Sequence, residues 1–407
     1  MGTIERSLFP EIYDQDGENG ILPWQEIKRL VESGRVSGSP DVSESQIQPA
    51  SLDLRLGPVA YRVHASFLRG RSATLLTRVH ELLHSTIDLT QPTPPLLERG
   101  KVYIIPLLEK LNLRKTNLQG VANPKSTTGR LDIFTRLITE RGDEFDQIPK
   151  GYCGELFVEV SSRTFPVRVR AGMKLNQIRF VRGTSPRLGN GNLSKLAKAQ
   201  SLLYDAERGP VTSNIGDGVE ITVDLEGDDV HSIVAYKAKG SDLPVELDRT
   251  NHYGPSDFWE ATTRPRDGRI ILDTGGFYLL ASKKRVRVPL DHAAEMVAHD
   301  PSMGEFRVHY AGFFDPGFGY GANGEIPGTK AVLEVRAYEV PIILEDDQLV
   351  GRLHYYPMAA PPDRVYGASI GSSYQKQGLA LSKQFRREDS PEPSRDLLRS
   401  RLVTADG

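Results

Sequence analysis

Cysteine is nearly absent from this 407-residue chain, Cys153 being the only one. No intrachain disulfide can form, and a thiolate cage for a metal cannot be assembled. Long apolar runs are missing as well, none reaching the roughly 18 residues that a membrane-spanning helix requires. The opening MGTIERSLFPEIYDQDGENG is acidic and polar, where a secretory leader needs basic residues followed by an apolar stretch. A cytoplasmic location is expected. Excess charge of one sign is also lacking, with 51 Lys and Arg against 53 Asp and Glu and a net charge of −2. Such a chain has no global field to gather polyanions, which disfavours nucleic-acid binding, while a local basic pocket for a small anion stays open.

What is present suits a globular protein, at 38% hydrophobic and 26% charged residues. The length exceeds what one hydrophobic core usually organises, so two domains are expected. A repeat supports this. GKVYIIPLLEKLNLRKTNLQGVANPKS, ending at Ser126, reads like GGFYLLASKKRVRVPLDHAAEMVAHDPS, ending at Ser302, an offset of 176. Further on, GELFVEVSSRTFPVRVRAGMKLNQIRF parallels KAVLEVRAYEVPIILEDDQLVGRLHYY, where Glu159 meets Glu334 and Pro166 meets Pro341, each at an offset of 175.

Both units read as mostly strand: short runs of Val, Ile, Leu, Phe and Tyr alternate with charged residues between Gly, Pro, Asp and Asn turns. A mainly β fold is predicted, as two tandem barrels or sandwiches with a few short helices. One amphipathic helix is expected at LPWQEIKRLVESG, with Pro23 in its first turn and Gly34 at its C-terminal end. NLSKLAKAQSLLYDAE reads as a helical linker. The division that follows is a tail over 1–20, a first unit over 21–182, a linker over 183–215, a second unit over 216–385 and a polar tail over 386–407. Cys153 is expected to pack as a small buried apolar residue.

Two stretches, IQPASLDLRLG (Ile47 to Gly57) and PKSTTGR (Pro124 to Arg130), resemble the dCTP deaminase branch of the dUTPase superfamily, and the tandem units correspond to its long form. The resemblance implies two dUTPase-like distorted β-barrel or jelly-roll domains. The first unit keeps the opening helix, the first strand and a phosphate motif. The second keeps a hairpin as HYAGFFDPGFGYG, a glutamate strand as AVLEV and a tail as YGASIGSSYQKQG. The corresponding stretch DPSMGEF of the second unit has lost both cations of the phosphate motif, and TERGDEFDQIPKGYCG of the first has lost the Asp-Pro pair of the hairpin. The first unit would therefore grip phosphates while the second holds the nucleoside.

The activity that the resemblance implies is hydrolytic deamination of dCTP to dUTP and ammonia without zinc. Zinc deaminases carry a Pro-Cys-x-x-Cys signature, which one cysteine cannot supply. In the zinc-free chemistry a carboxylate must take a proton from water and pass it to the base. Resemblance places Glu334, or its counterpart Glu159, in that role, with the Arg130 guanidinium holding the carboxylate ionised. Lys125, Ser126, Thr127 and Arg130 would bind phosphate, offering cationic charge and directional donors in a Gly-containing turn. Asp315 would take the sugar 3′-hydroxyl, although Asp before Pro-Gly also favours a turn regardless of function. Ala311 would contribute backbone groups, and Tyr366, Tyr374 and Gln377 would close over the triphosphate. Mg2+ is expected only as the partner of that triphosphate. The family further implies a homo-oligomer with sites between dUTPase-like units. Alternatives are a dUTP diphosphatase, a bifunctional deaminase and diphosphatase, and a non-catalytic nucleotide-binding regulator.

Overall fold

The computed structural model describes residues 18–68, 74–140, 142–184, 187–212, 214–227, 233–298, 306–309, 312–367 and 378–387. Of the sequence expectations, Ala311, Tyr374, Gln377 and the polar tail from 388 onward lie outside the described residues. The described chain is mainly β, with short helices, and no helix in it is long and apolar enough to cross a membrane.

The opening helix runs over Trp24–Glu32 and buries Trp24, Ile27 and Leu30, an i, i+3, i+6 stripe. Pro23 is its N-cap, with ψ at 168°, and not a first-turn residue as the sequence suggested. An extended ψ leaves Pro23 outside the helical turns, while its fixed φ still sets the entry. Gly34 follows the C-cap Ser33 at a φ of +72°, the left-handed stop that favours glycine.

In the first unit a six-stranded sheet is centred on Val102–Asn112 and Cys153–Ser162, with Ile133–Thr139 at its edge. A second sheet is centred on Lys174–Arg182, which pairs with Leu118–Pro124 and Leu52–Arg55. The second unit repeats the arrangement. Its seven-stranded sheet contains Phe277–Val286, Thr329–Ala337 and Phe306–His309, and its four-stranded sheet contains Leu349–Pro357, His292–Ala298 and Phe313–Phe314. Register carries the repeat into three dimensions: Glu159 lies opposite Ile104 and Arg136, and Glu334 opposite Leu279 and His309.

The segment after the linker helix Asn190–Gln200 is not helical. Leu203–Asp205 is a strand that pairs with the end of Phe277–Val286, so this stretch belongs to the second unit's sheet. Leu203 and Tyr204 instead lie opposite Val286 and Arg285, with Gly209–Val211 pairing on their other side. Cys153 also departs from expectation, being only half-buried at the start of its strand.

The glutamate strand Thr329–Ala337 packs on both faces, one of them apolar and the other carrying Lys330, Glu334 and Arg336 around Val332. Leu333, Val335 and Ala337 enter the second unit's own core, together with Tyr278 and Leu280. Val332 on the opposite face, with Phe277 and Leu279 from the neighbouring strand, packs into the core of the first unit. Phe165 of the first unit meets Phe258 and Trp259 of the second with ring centroids 5.5 Å apart, in edge-on contact. This continuous apolar junction holds the glutamate strand against the unit that carries PKSTTGR.

Candidate active site between the two units

The phosphate motif begins where the strand Leu118–Pro124 ends. Lys125 caps a single helical turn, Ser126–Gly129, and its own N–H donates to the Leu175 carbonyl at 3.0 Å. The buried Thr128 hydroxyl donates to the same carbonyl at 2.9 Å. With Thr128 turned inward, the exposed Ser126 and half-buried Thr127 are left at the cavity wall. The Lys125 ammonium pairs with Asp53, which is buried in the strand Leu52–Arg55, and Lys174 approaches the same carboxylate at 3.9 Å. Arg130 closes the turn, is buried, and donates from Nη1 to the carbonyl of Ala380 at 3.0 Å.

From the other side comes the hairpin of the second unit. Phe313–Phe314 pairs with Ala294 and Glu295, and the Asp-Pro-Gly corner follows. Gly317 sits at a φ of +94°, and a Cβ there would lie 3.2 Å from the Tyr366 amide nitrogen, which is why glycine fits this corner. The Tyr366 N–H donates to the Pro316 carbonyl at 2.9 Å, fastening the start of the C-terminal tail to the hairpin. Phe318 meets Phe314 edge-on and Tyr366 at a tilt, with ring centroids 5.0 and 5.5 Å away.

Two adjoining cavities lie between these parts. A large one of about 810 Å³ is lined by Lys125, Ser126, Thr127, Lys174, Asp315 and Tyr366, among others. A small one of about 60 Å³ shares Lys125, Ser126, Phe313, Asp315 and Tyr366 with it and ends on Arg130, Gly312 and Glu334. Sequence-matched residues from both units therefore border one space.

Glu334 is buried at 7% exposure, and not on the solvent face that an isolated strand carboxylate usually takes. Burial pushes its pKa up to about 8, against the opposing pull of the Arg130 guanidinium. Asp315 is also raised above the ordinary carboxylate range by burial, with Arg179 working against the shift. Arg179 itself is fully buried. Its Nη1 donates to the Ala294 carbonyl and its Nη2 to the Phe314 carbonyl, both at 2.9 Å, while the guanidinium lies 4.0 Å above the Phe313 ring. A cation from the first unit thus supports the hairpin of the second.

Glu159 has a different setting. Its Oε1 accepts from Arg136 Nη2 at 2.7 Å and from Nε at 3.1 Å, and Arg136 lies 3.6 Å over the Phe145 ring. The face it occupies carries Phe157, which is covered by Leu75 and Val79 from the helix Leu75–Glu81. Glu159 borders neither of the two cavities.

The structure therefore groups Lys125, Ser126, Thr127, Arg130, Asp315, Glu334 and Tyr366, and it sets Glu159 apart. Asp53, Lys174 and Arg179 were not singled out from the sequence. Asp53 lies within the recognised ASLDLRLG strand and alternation alone could have marked it. Lys174 and Arg179 sit in a strand whose residues are nearly all buried, so periodicity gave no sign of them.

Known proteins are similar to the chain over both units. The model of the 2'-deoxycytidine 5'-triphosphate deaminase N-terminal domain matches residues 18–184, and that of the C-terminal domain matches residues 190–385. The chain is 33% identical over 134 residues to a protein of Halobacterium salinarum named dCTP deaminase, dUMP-forming, covering 32% of this chain and 64% of that relative. A protein of the same name from Dictyoglomus thermophilum is 29% identical over 202 residues, 48% of this chain and 94% of the relative. A crystal structure of 2'-deoxycytidine 5'-triphosphate deaminase from Agrobacterium tumefaciens superimposes with a TM-score of 0.77 at 45% identity, covering 84% of this chain and 99% of that one.

Proposed function

The chain belongs to the 2'-deoxycytidine 5'-triphosphate deaminase family, and from that premise we propose that it deaminates dCTP by glutamate-driven hydrolysis in the space between its two units. The observation that carries this is the meeting of Arg130, from the first unit's phosphate motif, with Glu334, from the second unit's strand, at the end of one small cavity.

Glu334 takes a proton from water, the resulting hydroxide adds to C4 of cytosine, and the carboxyl returns the proton to N3. Glu334 next takes the proton of the 4-hydroxyl and hands it to the amino group, which leaves as ammonia while C4 becomes a carbonyl, so dCTP and water give dUTP and ammonia. A carboxyl poised near the working pH suits this shuttle, because it can accept and give back a proton at little cost; such a group contributes about 10²- to 10⁴-fold. Arg130 orients the carboxylate and steadies its ionised form. Lys125, Ser126 and Thr127 receive the triphosphate, which brings Mg2+ with it as part of the substrate. Asp315 accepts the 3′-hydroxyl, Ala311 offers backbone groups beside the base, and Tyr366 with Tyr374 and Gln377 covers the phosphates. Work on a soluble nucleotide pool fits a cytoplasmic homo-oligomer.

A second reading has its own support: the relatives from Halobacterium salinarum and Dictyoglomus thermophilum are named dUMP-forming. The same site would then also release diphosphate from the deaminated product. Incubation of the pure protein with dCTP and Mg2+, with ammonia, dUTP, dUMP and diphosphate resolved over time, tests both. Ammonia with accumulating dUTP supports deamination alone. Ammonia matched by dUMP and diphosphate supports the two-step reaction, and absence of ammonia overturns both readings.

A further inference from the structure

Two residues beyond Glu334 on the same strand face stands Arg336, and two residues beyond Arg130 stands Asp132. Arg336 Nη2 pairs with the Asp132 carboxylate and also donates to the Thr164 hydroxyl at 3.2 Å, and Nη1 donates to the Gly275 carbonyl. Thr164 in turn donates to Asp132 Oδ2 at 2.5 Å. Asp132 is fully buried and holds a φ of +55° just after the motif turn. The two units are thus joined by the Asp132–Arg336 ion pair, beside which the Arg130 guanidinium acts electrostatically on Glu334 in the opposite sense.

Alternate residues of a strand lie only about 7 Å apart. An uncompensated Arg336 cation at that spacing would act strongly on the Glu334 carboxyl, since low-dielectric surroundings screen little. The other groups about Glu334 are Arg130 from the motif turn, Lys125 and Asp315 across the cavity, and Tyr366 from the tail. Its neighbouring strands bring Leu279 and, in register, His309.

We propose that Asp132 and Arg336 are positioning residues for the reaction, fixing the register at which Glu334 meets Arg130 and keeping the Arg336 cation turned away from the catalytic carboxyl. This rests on the reading of Glu334 as the proton shuttle. Neither residue touches substrate; each acts through Glu334. The dependence of kcat/KM on pH tests the pair. Asp132→Asn releases the Arg336 cation and moves the acidic limb down by about one pH unit, whereas Arg336→Gln leaves a buried anion and moves it up by a similar amount. The double variant returns the limb close to its original place. A merely structural pair would lower activity without moving the limb in opposite directions, and that result overturns the proposal. Should a single variant fail to fold, Arg336→Lys keeps the charge and loses the fork. It is expected to lower kcat about tenfold with KM unchanged, and wild-type kcat in that variant overturns the proposal equally. Glu334→Gln separates the two claims: turnover surviving in Glu334→Gln removes the shuttle itself, whereas a dead Glu334→Gln with unmoved limbs removes only the pair.

Discussion

Arg179, buried in the last strand of the first unit, places its guanidinium 3.5 Å from the carboxylate of Asp315 in the second. Hairpin and phosphate motif are therefore held together by a charge that neither sequence motif contains. Removing the cation leaves a buried carboxylate uncompensated, a loss that commonly costs about 3–5 kcal/mol. Arg179→Met is expected to lower stability by that order in denaturant unfolding and to raise KM for dCTP. Arg179→Lys should recover part of the stability but less of KM, because one ammonium cannot serve both the Ala294 and Phe314 carbonyls and the Asp315 carboxylate. An unchanged KM in Arg179→Met would show that Asp315 does not need this support.

Glu334 and Glu159 are repeat counterparts with opposite surroundings, and their amide variants should separate accordingly. Glu334→Gln is expected to lower ammonia release by about 10²- to 10⁴-fold while nucleotide still binds. Glu159→Gln weakens the Arg136 pair and should lower stability by about 1–3 kcal/mol with turnover little changed. Ammonia release and thermal melting, measured on the same preparations, decide the matter. The reverse outcome would move the chemistry to the first unit.

Acidity supplies a separate check. Because the shuttle must be ionised to accept a proton from water, kcat/KM should rise with pH through a limb near 8, the value to which burial pushes Glu334. Stability should run the other way. A carboxyl raised above its ordinary 4.5 is held protonated by the fold, so its contribution is complete below that value and is lost as pH rises through about 8. Asp146, raised to about 7 by burial, adds to the same decline. Unfolding free energies measured from pH 5 to pH 9 should therefore fall, and less steeply in Glu334→Gln. A flat or rising curve for the wild type contradicts this.

Lys125 offers a test confined to phosphate. Lys125→Gln is expected to weaken dCTP binding about tenfold, equivalent to about 1.4 kcal/mol, with deoxycytidine binding nearly unaffected. Titration calorimetry with both ligands reads the difference. Equal losses for the two would indicate that Lys125 serves mainly to hold Asp53.

Much of the site could be read from residue order alone. PKSTTGR, FFDPGF and AVLEV each carry a local pattern, and the complementary losses between the repeats pointed to a division of labour. The choice between Glu334 and Glu159 was not readable, because both alternate with apolar residues in the same way. Their difference comes from what covers the strand: the helix Leu75–Glu81 in one unit, the motif turn of the other unit in the second. The helix expected through Leu203–Asp205 ends earlier for a related reason, since those residues are a strand paired with Phe277–Val286, while Asn190–Gln200 is helical as read.

The amino-acid order by itself determined the repeat, the strand-rich character and the identity of the motif residues, because turn chemistry and apolar alternation act over a few neighbours. Only the tertiary structure decided which motif meets which, and which of the two buried carboxylates borders the cavity between the units. Those outcomes depend on contacts spanning some 200 residues of chain, as between Arg130 and Glu334 or Asp132 and Arg336, and no local pattern encodes the partner across such a separation.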